Sequence, residues 1–229
     1  MASALGGRGR RTELVNRDHG PAGYRLAKAV LGRPLRYAYD IEVDGLDRVP
    51  AGATILAANH RSFMDSIFVA SVVDRPVSFL AKAEYFERRR TAWIFRSTGQ
   101  IPLRRGNPAA ARRALAAAFS VLAHGGTVGV YPEGTRSRDG LLHRGNLGPA
   151  RLAAGSGAPI VPIGLVGTAE VQAPDQRVPR LGKHVTIRCG SPLRLEPSLE
   201  GDRTHLREAT DALMAEIADL CGQEYVTTS

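Results

Sequence analysis

The chain has only two cysteines, Cys189 and Cys221, among its 229 residues. They match no metal or redox spacing and set up no disulfide framework, which reads as a reducing, cytosolic context. Aromatic residues are scarce at 6%, with a single tryptophan, and they do not interleave with the arginines. That argues against the stacking platforms of a nucleic-acid binder. No apolar run reaches the roughly 18–20 residues that a membrane-spanning helix needs. The first residues are basic but lack a continuous apolar stretch and a small-residue cleavage site, so no secretory signal is expected. Acidic residues are missing from one long stretch: residues 88–113 hold eight arginines and no Asp or Glu.

What is present is a globular composition, 43% hydrophobic and 23% charged, enough for one sizeable core. The net charge is +9, and residues 1–40 carry eight basic side chains against three acidic ones. Two basic zones on a mildly acidic body suit anionic partners such as lipid headgroups, phosphorylated substrates or nucleic acid, although a solvated arginine surface would look similar. Residues 1–20, with "GGRGRR", read as a flexible basic tail. Residues 21–229 read as one domain. It opens with a basic amphipathic helix over about 22–37, whose run Pro34 ends or kinks. Such a helix either packs on its own domain or lies on a membrane.

Beyond it, strand and helix patterns alternate. "YDIEVD" has the period of a half-buried strand and "ATILAAN" the continuous apolarity of a buried parallel one. "PVSFLAK", "QIPL", "TVGVYP", "PIVPIGLVG" and "KHVTIRCG" are further strands. Helices are expected at "DSIFVASVV", "AEYFERRRTAWIFRST", "PARLAAGSG" and the closing "DRTHLREATDALMAEIADLCG". "NPAAARRALAAAFSVLAHGG" carries the clearest helix signals: Asn107 as N-cap, Pro108 at the first position and Gly125 as the stop. The order implies an α/β domain, a mixed or mostly parallel sheet flanked by helices.

One apolar run, "ILAANHRSFMDSIFVA", is interrupted by Asn59, His60 and Asp65. Burying them unpaired would cost roughly 1–3 kcal/mol each, so they satisfy one another or face a site. Five residues of helix turn about 500°, which sets two side chains some 140° apart. His60 and Asp65 therefore meet only if His60 lies in the turn after the strand and Asp65 in the first helical turn. The carboxylate then holds one imidazole nitrogen and leaves the other as a base. Without a nucleophile elbow around Ser62 or Ser66, this pair suits deprotonation of a substrate hydroxyl that attacks an activated acyl group. On the pair alone, a hydrogen bond that merely caps the helix is the favoured explanation, since this spacing arises by chance in many chains. "VYPEGTRSRDG" combines a Gly-containing turn, hydroxyls and arginines in the manner of an anion cradle, or of a plain surface turn. "GQIPLRRG" sets Arg104 and Arg105 just past a strand end, and Pro162 within a strand run suggests an edge or irregular position.

"NHRSFMD", "GQIPLRR", "YPEGTRS" and "IVPIGLVGT", in this order, resemble the four blocks of the glycerolipid acyltransferases, typified by bacterial 1-acylglycerol-3-phosphate O-acyltransferase. "FLAKAEYF" and "RGNLGPARLA" resemble segments between those blocks, and the likeness covers roughly residues 35–195. The resemblance implies His60 as general base and Asp65 as its orienting partner. It implies an acceptor-phosphate site of Arg105, Glu133, Gly134, Thr135 and Arg136, with Glu133 ordering the loop. Asn59, Lys82, Arg104 and Pro162 would support the site. Arg104 is a departure, since the family's second block often has an acidic or small residue there.

By the same resemblance the reaction is acyl transfer from an acyl thioester, on coenzyme A or acyl carrier protein, to the free hydroxyl of 1-acylglycerol 3-phosphate, giving phosphatidic acid. No cofactor or metal is expected, and no nucleic acid. Peripheral attachment to the cytoplasmic face of the membrane, through anionic lipids, is expected. The rival readings are the same chemistry on another acceptor (a lysophospholipid, glycerol 3-phosphate or a glycolipid) and a non-catalytic basic module for membranes or nucleic acid.

Overall fold

The computed structural model describes residues 24, 28, 32, 34–104, 106–196 and 201–227. The basic tail expected over residues 1–20 lies outside them, as does Arg105. Nine strands are described: β1 (Asp40–Asp44), β2 (Thr54–Ala58), β3 (Val77–Lys82), β4 (Ile101–Leu103), β5 (Thr127–Val130), β6 (Leu142–His143), β7 (Ile160–Val166), β8 (His184–Cys189) and β9 (Tyr225–Val226). After a helical segment that reaches residue 38 come α1 (Asp65–Val72), α2 (Glu84–Glu87), α3 (Arg89–Ser97), α4 (Pro108–Ala123), α5 (Gly148–Ser156), α6 (Thr168–Val171) and α7 (Arg203–Cys221).

Seven strands form one sheet in the order β1-β8-β7-β2-β5-β3-β4, and β6 pairs with β9 in a small second one. All neighbours in the large sheet run parallel except β7 and β8. This is the mixed, mostly parallel α/β architecture that the alternating pattern implies. β2 is central and all five of its residues are buried, as its unbroken apolarity requires. Its side chains alternate between two cores. Leu56 and Ala58 pack with Phe68, Val77, Phe79 and Ile163 on the α1 face. Ile55 and Ala57 pack with Ala114, Ala118, Leu152 and Leu213 on the face covered by α4, α5 and α7.

The cap signals of α4 are satisfied: the Asn107 side chain accepts a hydrogen bond from the Ala110 N–H at 3.0 Å, and Pro108 opens the helix. Helix α7 lies directly on β7. A Cβ at Gly164 would come within 2.5–2.7 Å of Leu220 and Cys221 atoms, so glycine permits the approach.

Four expectations need correction. β1 is a strand, but it is an edge strand with only Ile41 half-buried, because β8 alone pairs with it. The helix expected across 83–98 breaks at Arg88, whose backbone is extended (φ −84°, ψ 120°), giving α2 and α3. Pro34 does not end the N-terminal helix, since residues 34–38 are helical. Pro162 sits in an internal strand rather than at an edge. The irregularity it signals is real: Ile163 pairs with Cys189 but Ile160 with Leu193, so the register slips by one residue around it. Pro162 O still accepts from Gly190 N at 2.9 Å, and its missing N–H falls where β8 has ended.

Candidate active site

β2 ends at Ala58, and the polar interruption read from the sequence is the turn that leaves it. His60 lies in that turn and Asp65 is the first residue of α1. The His60 Nδ1 and Asp65 Oδ2 are 2.8 Å apart, with the carboxylate fully buried and the imidazole 13% exposed. The same Oδ2 accepts from the Arg61 and Ser62 backbone N–H groups, each at 2.8 Å. Asp65 is thus both a partner for the ring and the organiser of the turn. Its Oδ1 is buried and has no hydrogen-bond partner among the described residues.

The ring is fixed in other ways too. Tyr131, just past β5, stacks on it at 3.8 Å between centroids and 12° between planes. The Tyr131 hydroxyl is itself 2.8 Å from Ser66 Oγ. Burial, together with the nearby Asp65 charge, holds that phenol well above its ordinary pKa of 10, so it stays neutral. The His60 carbonyl accepts from Ser137 N at 2.8 Å, and its N–H donates to Glu133 Oε1 at 3.3 Å. With Nδ1 engaged, Nε2 is the nitrogen left for chemistry, and His60 lines the cleft.

Glu133 ties two segments together: Oε2 accepts from His143 N at 3.1 Å while Oε1 takes His60 N. Desolvation lifts its carboxyl to about 6. Both oxygens face backbone N–H groups, so Glu133 orders the loop. Gly134 turns that loop in the left-handed region (φ 72°), and its N–H donates to Tyr131 O. Asn59, buried, clamps β2 to β7 at the same level: Nδ2 donates to Leu165 O at 2.9 Å and Oδ1 accepts from Leu165 N at 2.7 Å.

His60, Tyr131 and Gly134 open onto a cleft of about 1000 Å³. Its inner walls are apolar, including Phe79, Leu103, Leu115 and Leu152. Phe63, Tyr85 and Phe95 form an aromatic cluster on one side, with Tyr85 and Phe95 stacked at 4.9 Å. Arg136 lines the cleft beside Gly134, and no hydrogen bond or ion pair holds its side chain among the described residues. The arrangement pairs a positioned imidazole with an apolar trough and a free cation.

The remaining sequence-predicted residues are placed less centrally. Lys82 lines the cleft, exposed and 3.4 Å from Glu84. Thr135 is exposed in the loop. Arg104 is ion-paired with Glu87 in solvent and does not line the cleft, and Pro162 is buried within β7. Sequence reasoning missed Tyr131 as the stacking partner, although an aromatic directly before "PEGTRS" was a signal. It also missed Asn146, which lines the cleft and donates through Nδ2 to Pro132 O at 2.9 Å. No group of three or more His, Cys, Asp or Glu among the described residues is arranged to hold a metal ion.

A family model described as Acyltransferase matches residues 40–166. The chloroplastic 1-acyl-sn-glycerol-3-phosphate acyltransferase LPAT1 of Arabidopsis thaliana is 33% identical over 135 residues, 58% of this chain and 38% of that protein. The 1-acyl-sn-glycerol-3-phosphate acyltransferase of Pseudomonas aeruginosa is 29% identical over 139 residues, 60% of this chain and 51% of that protein. The chain therefore spans only about two fifths to one half of these relatives. The crystal structure of the 1-acyl-sn-glycerophosphate (LPA) acyltransferase PlsC from Thermotoga maritima has the same fold, with a TM-score of 0.68 at 24% identity over 86% of this chain and 79% of that one. The family match covers more than half of the sequence, and the chain belongs to the Acyltransferase family.

Proposed function

We propose that the protein transfers an acyl chain from a thioester, on coenzyme A or acyl carrier protein, to the free hydroxyl of 1-acylglycerol 3-phosphate, giving phosphatidic acid. The observation that carries this reading is His60, held on Nδ1 by buried Asp65 while it lines an apolar cleft that also presents Arg136. The named activity of the relatives supports the acceptor.

In the mechanism, Nε2 of His60 takes the proton of the acceptor hydroxyl as that oxygen attacks the thioester carbonyl. A C–O bond forms, the carbonyl electron pair moves to oxygen, and it returns as the C–S bond breaks. The departing sulfur takes the proton from the imidazolium, so the ring ends as it began. Asp65 favours the tautomer with the proton on Nδ1 and stabilises the transient cation. A positioned base of this kind supplies about 10²–10⁴-fold. Holding acyl chain and acceptor side by side in the cleft supplies more through proximity. The thioester is already activated, so the proposal needs no covalent enzyme intermediate.

Arg136, together with Arg105 from the second block, binds the acceptor phosphate. Gly134 and Thr135 shape the loop around it, and Glu133 holds that loop rather than touching phosphate. Lys82, Arg104, Asn59 and Pro162 act in support, with Asn59 fixing the strand ends.

The test is product analysis by mass spectrometry with one acyl thioester and a panel of acceptors: 1-acylglycerol 3-phosphate, glycerol 3-phosphate, a zwitterionic lysophospholipid and a glycolipid. Phosphatidic acid from the first acceptor, at the highest kcat/KM, is expected. A higher kcat/KM on any of the others reassigns the acceptor, and no thiol release with any of them removes the enzymatic reading.

A further inference from the structure

The chain has one tryptophan, and it is not in a core. Trp93 lies in α3 and is 71% exposed, beside Ile94 at 49%. At about 100° per residue, Thr91, Ile94, Phe95 and Thr98 share one side of this helix, and all four line the cleft. Arg89, Trp93 and Arg96 cluster on the opposite side, and all are exposed. The stretch from Arg88 to Arg113 contains no acid, and Glu87, just before it, is paired with Arg104. An aromatic ring between two guanidinium groups that no carboxylate pairs among the described residues, Arg96 donating only to Phe86 O at 3.4 Å, has the composition of an interfacial helix on an anionic bilayer, with the ring at headgroup depth and cations on lipid phosphates.

The N-terminal helix turns two of its described side chains inward, while Tyr37 near its end stays 92% exposed. Tyr24 is buried and its hydroxyl donates to Ala70 O at 3.0 Å; the Lys28 ammonium donates to Val73 O. Both side chains are used to fasten that helix to the body. Among the described residues no helix is long and apolar enough to cross a membrane.

We infer that the outer face of α3, with Trp93 at its centre and Arg89 and Arg96 flanking it, seats the protein on an anionic lipid surface. One wall of the cleft then rests on the bilayer, and a lipid acceptor or donor chain passes along that wall without crossing water. This deepens the proposed acyl-transfer reading, but the binding itself does not depend on turnover.

The sole tryptophan makes the test direct. The full chain is titrated with vesicles of phosphatidylcholine containing phosphatidylglycerol, and with phosphatidylcholine alone, while the emission is recorded. A blue shift with the anionic vesicles, quenching when brominated lipids replace the ordinary ones, and weakening by salt are expected. The double variant Arg89→Glu, Arg96→Glu should partition at least about tenfold less, given about fivefold per cation at such a surface. It should retain thiol release with a short-chain, water-soluble acceptor. Vesicle binding with unchanged emission, or a shift without bromolipid quenching, would place the contact elsewhere and overturn the inference. A shift produced by soluble polyglutamate but not by vesicles would assign the face to an acidic protein instead. Loss of thiol release by the wild type with the soluble acceptor would strike the catalytic reading while leaving the vesicle result standing.

Discussion

The turn after β2 and the arginine-rich stretch from Arg88 to Arg113 are held in opposite ways. In the turn the contacts are internal: one oxygen of Asp65 serves His60, Arg61 and Ser62 at once, and Glu133 ties down the His60 backbone. Among the described residues of the arginine stretch the one ion pair, Arg104 with Glu87, has side chains 59% and 55% exposed. Exposed pairs contribute about 0–1 kcal/mol, whereas a buried N–H that loses its acceptor costs about 1–3. Under the proposed mechanism, the fixed contacts lie where a proton would move and the exposed cations where an anion would be attracted.

Substitutions in the two regions should therefore differ in kind. Replacing Asp65 by Ala carries the largest expected effect. Turnover should fall by about 10²–10⁴-fold, the contribution of a positioned base. Stability should fall by about 2–6 kcal/mol, because the Arg61 and Ser62 N–H groups lose their acceptor. Denaturant unfolding alongside steady-state rates checks both, and a variant that lost activity alone would deny Asp65 its structural half. Arg136→Ala should raise the acceptor KM by roughly 10- to 100-fold, the scale of a hydrogen bond to a charged group, with little change in the thioester KM or in stability. Equal shifts in the two KM values would move Arg136 away from the acceptor.

A subtler effect concerns Glu133. Burial lifts its carboxyl from 4.5 to about 6. A carboxyl raised by folding contributes stability that is complete below pH 4.5 and is lost as pH rises through about 6, a span worth about 2 kcal/mol. Denaturation series at pH 4 and pH 7 should show this loss in the wild type and not in Glu133→Gln; the same slope in both would exclude Glu133 as its source. Smallest of all, Arg104→Ala should change stability by less than about 1 kcal/mol, and a larger loss in a melt would mean the pair is less solvated than it looks.

Much of the fold was legible because its signals are local. The unbroken apolarity of "TILAA", the Asn107–Pro108 start of α4 and the apolar stripe of α7 each encode burial or caps within a few residues. What was not legible depends on partners distant in sequence. The strand pattern of β1 was right while its burial was wrong, since nothing in "YDIEVD" says that only β8 will lie beside it. The two-residue strands β6 and β9 pair across the chain and have no pattern of their own. In the site, the contact of His60 with Asp65 could be anticipated from their spacing across a strand end and a helix start, but the Tyr131 stack and the Asn59 clamp on Leu165 arise only when β5 and β7 flank β2.

The most direct measurement compares thiol release by the wild type and His60→Ala, with an acyl thioester and 1-acylglycerol 3-phosphate, on samples whose unfolding curves are recorded in parallel. The roles assigned to His60 and Asp65 predict superimposable unfolding within about 1 kcal/mol and a fall in turnover of at least about 10²-fold. Near-normal release by a folded His60→Ala protein would contradict them, and would leave the buried carboxylate as nothing more than the cap of a turn.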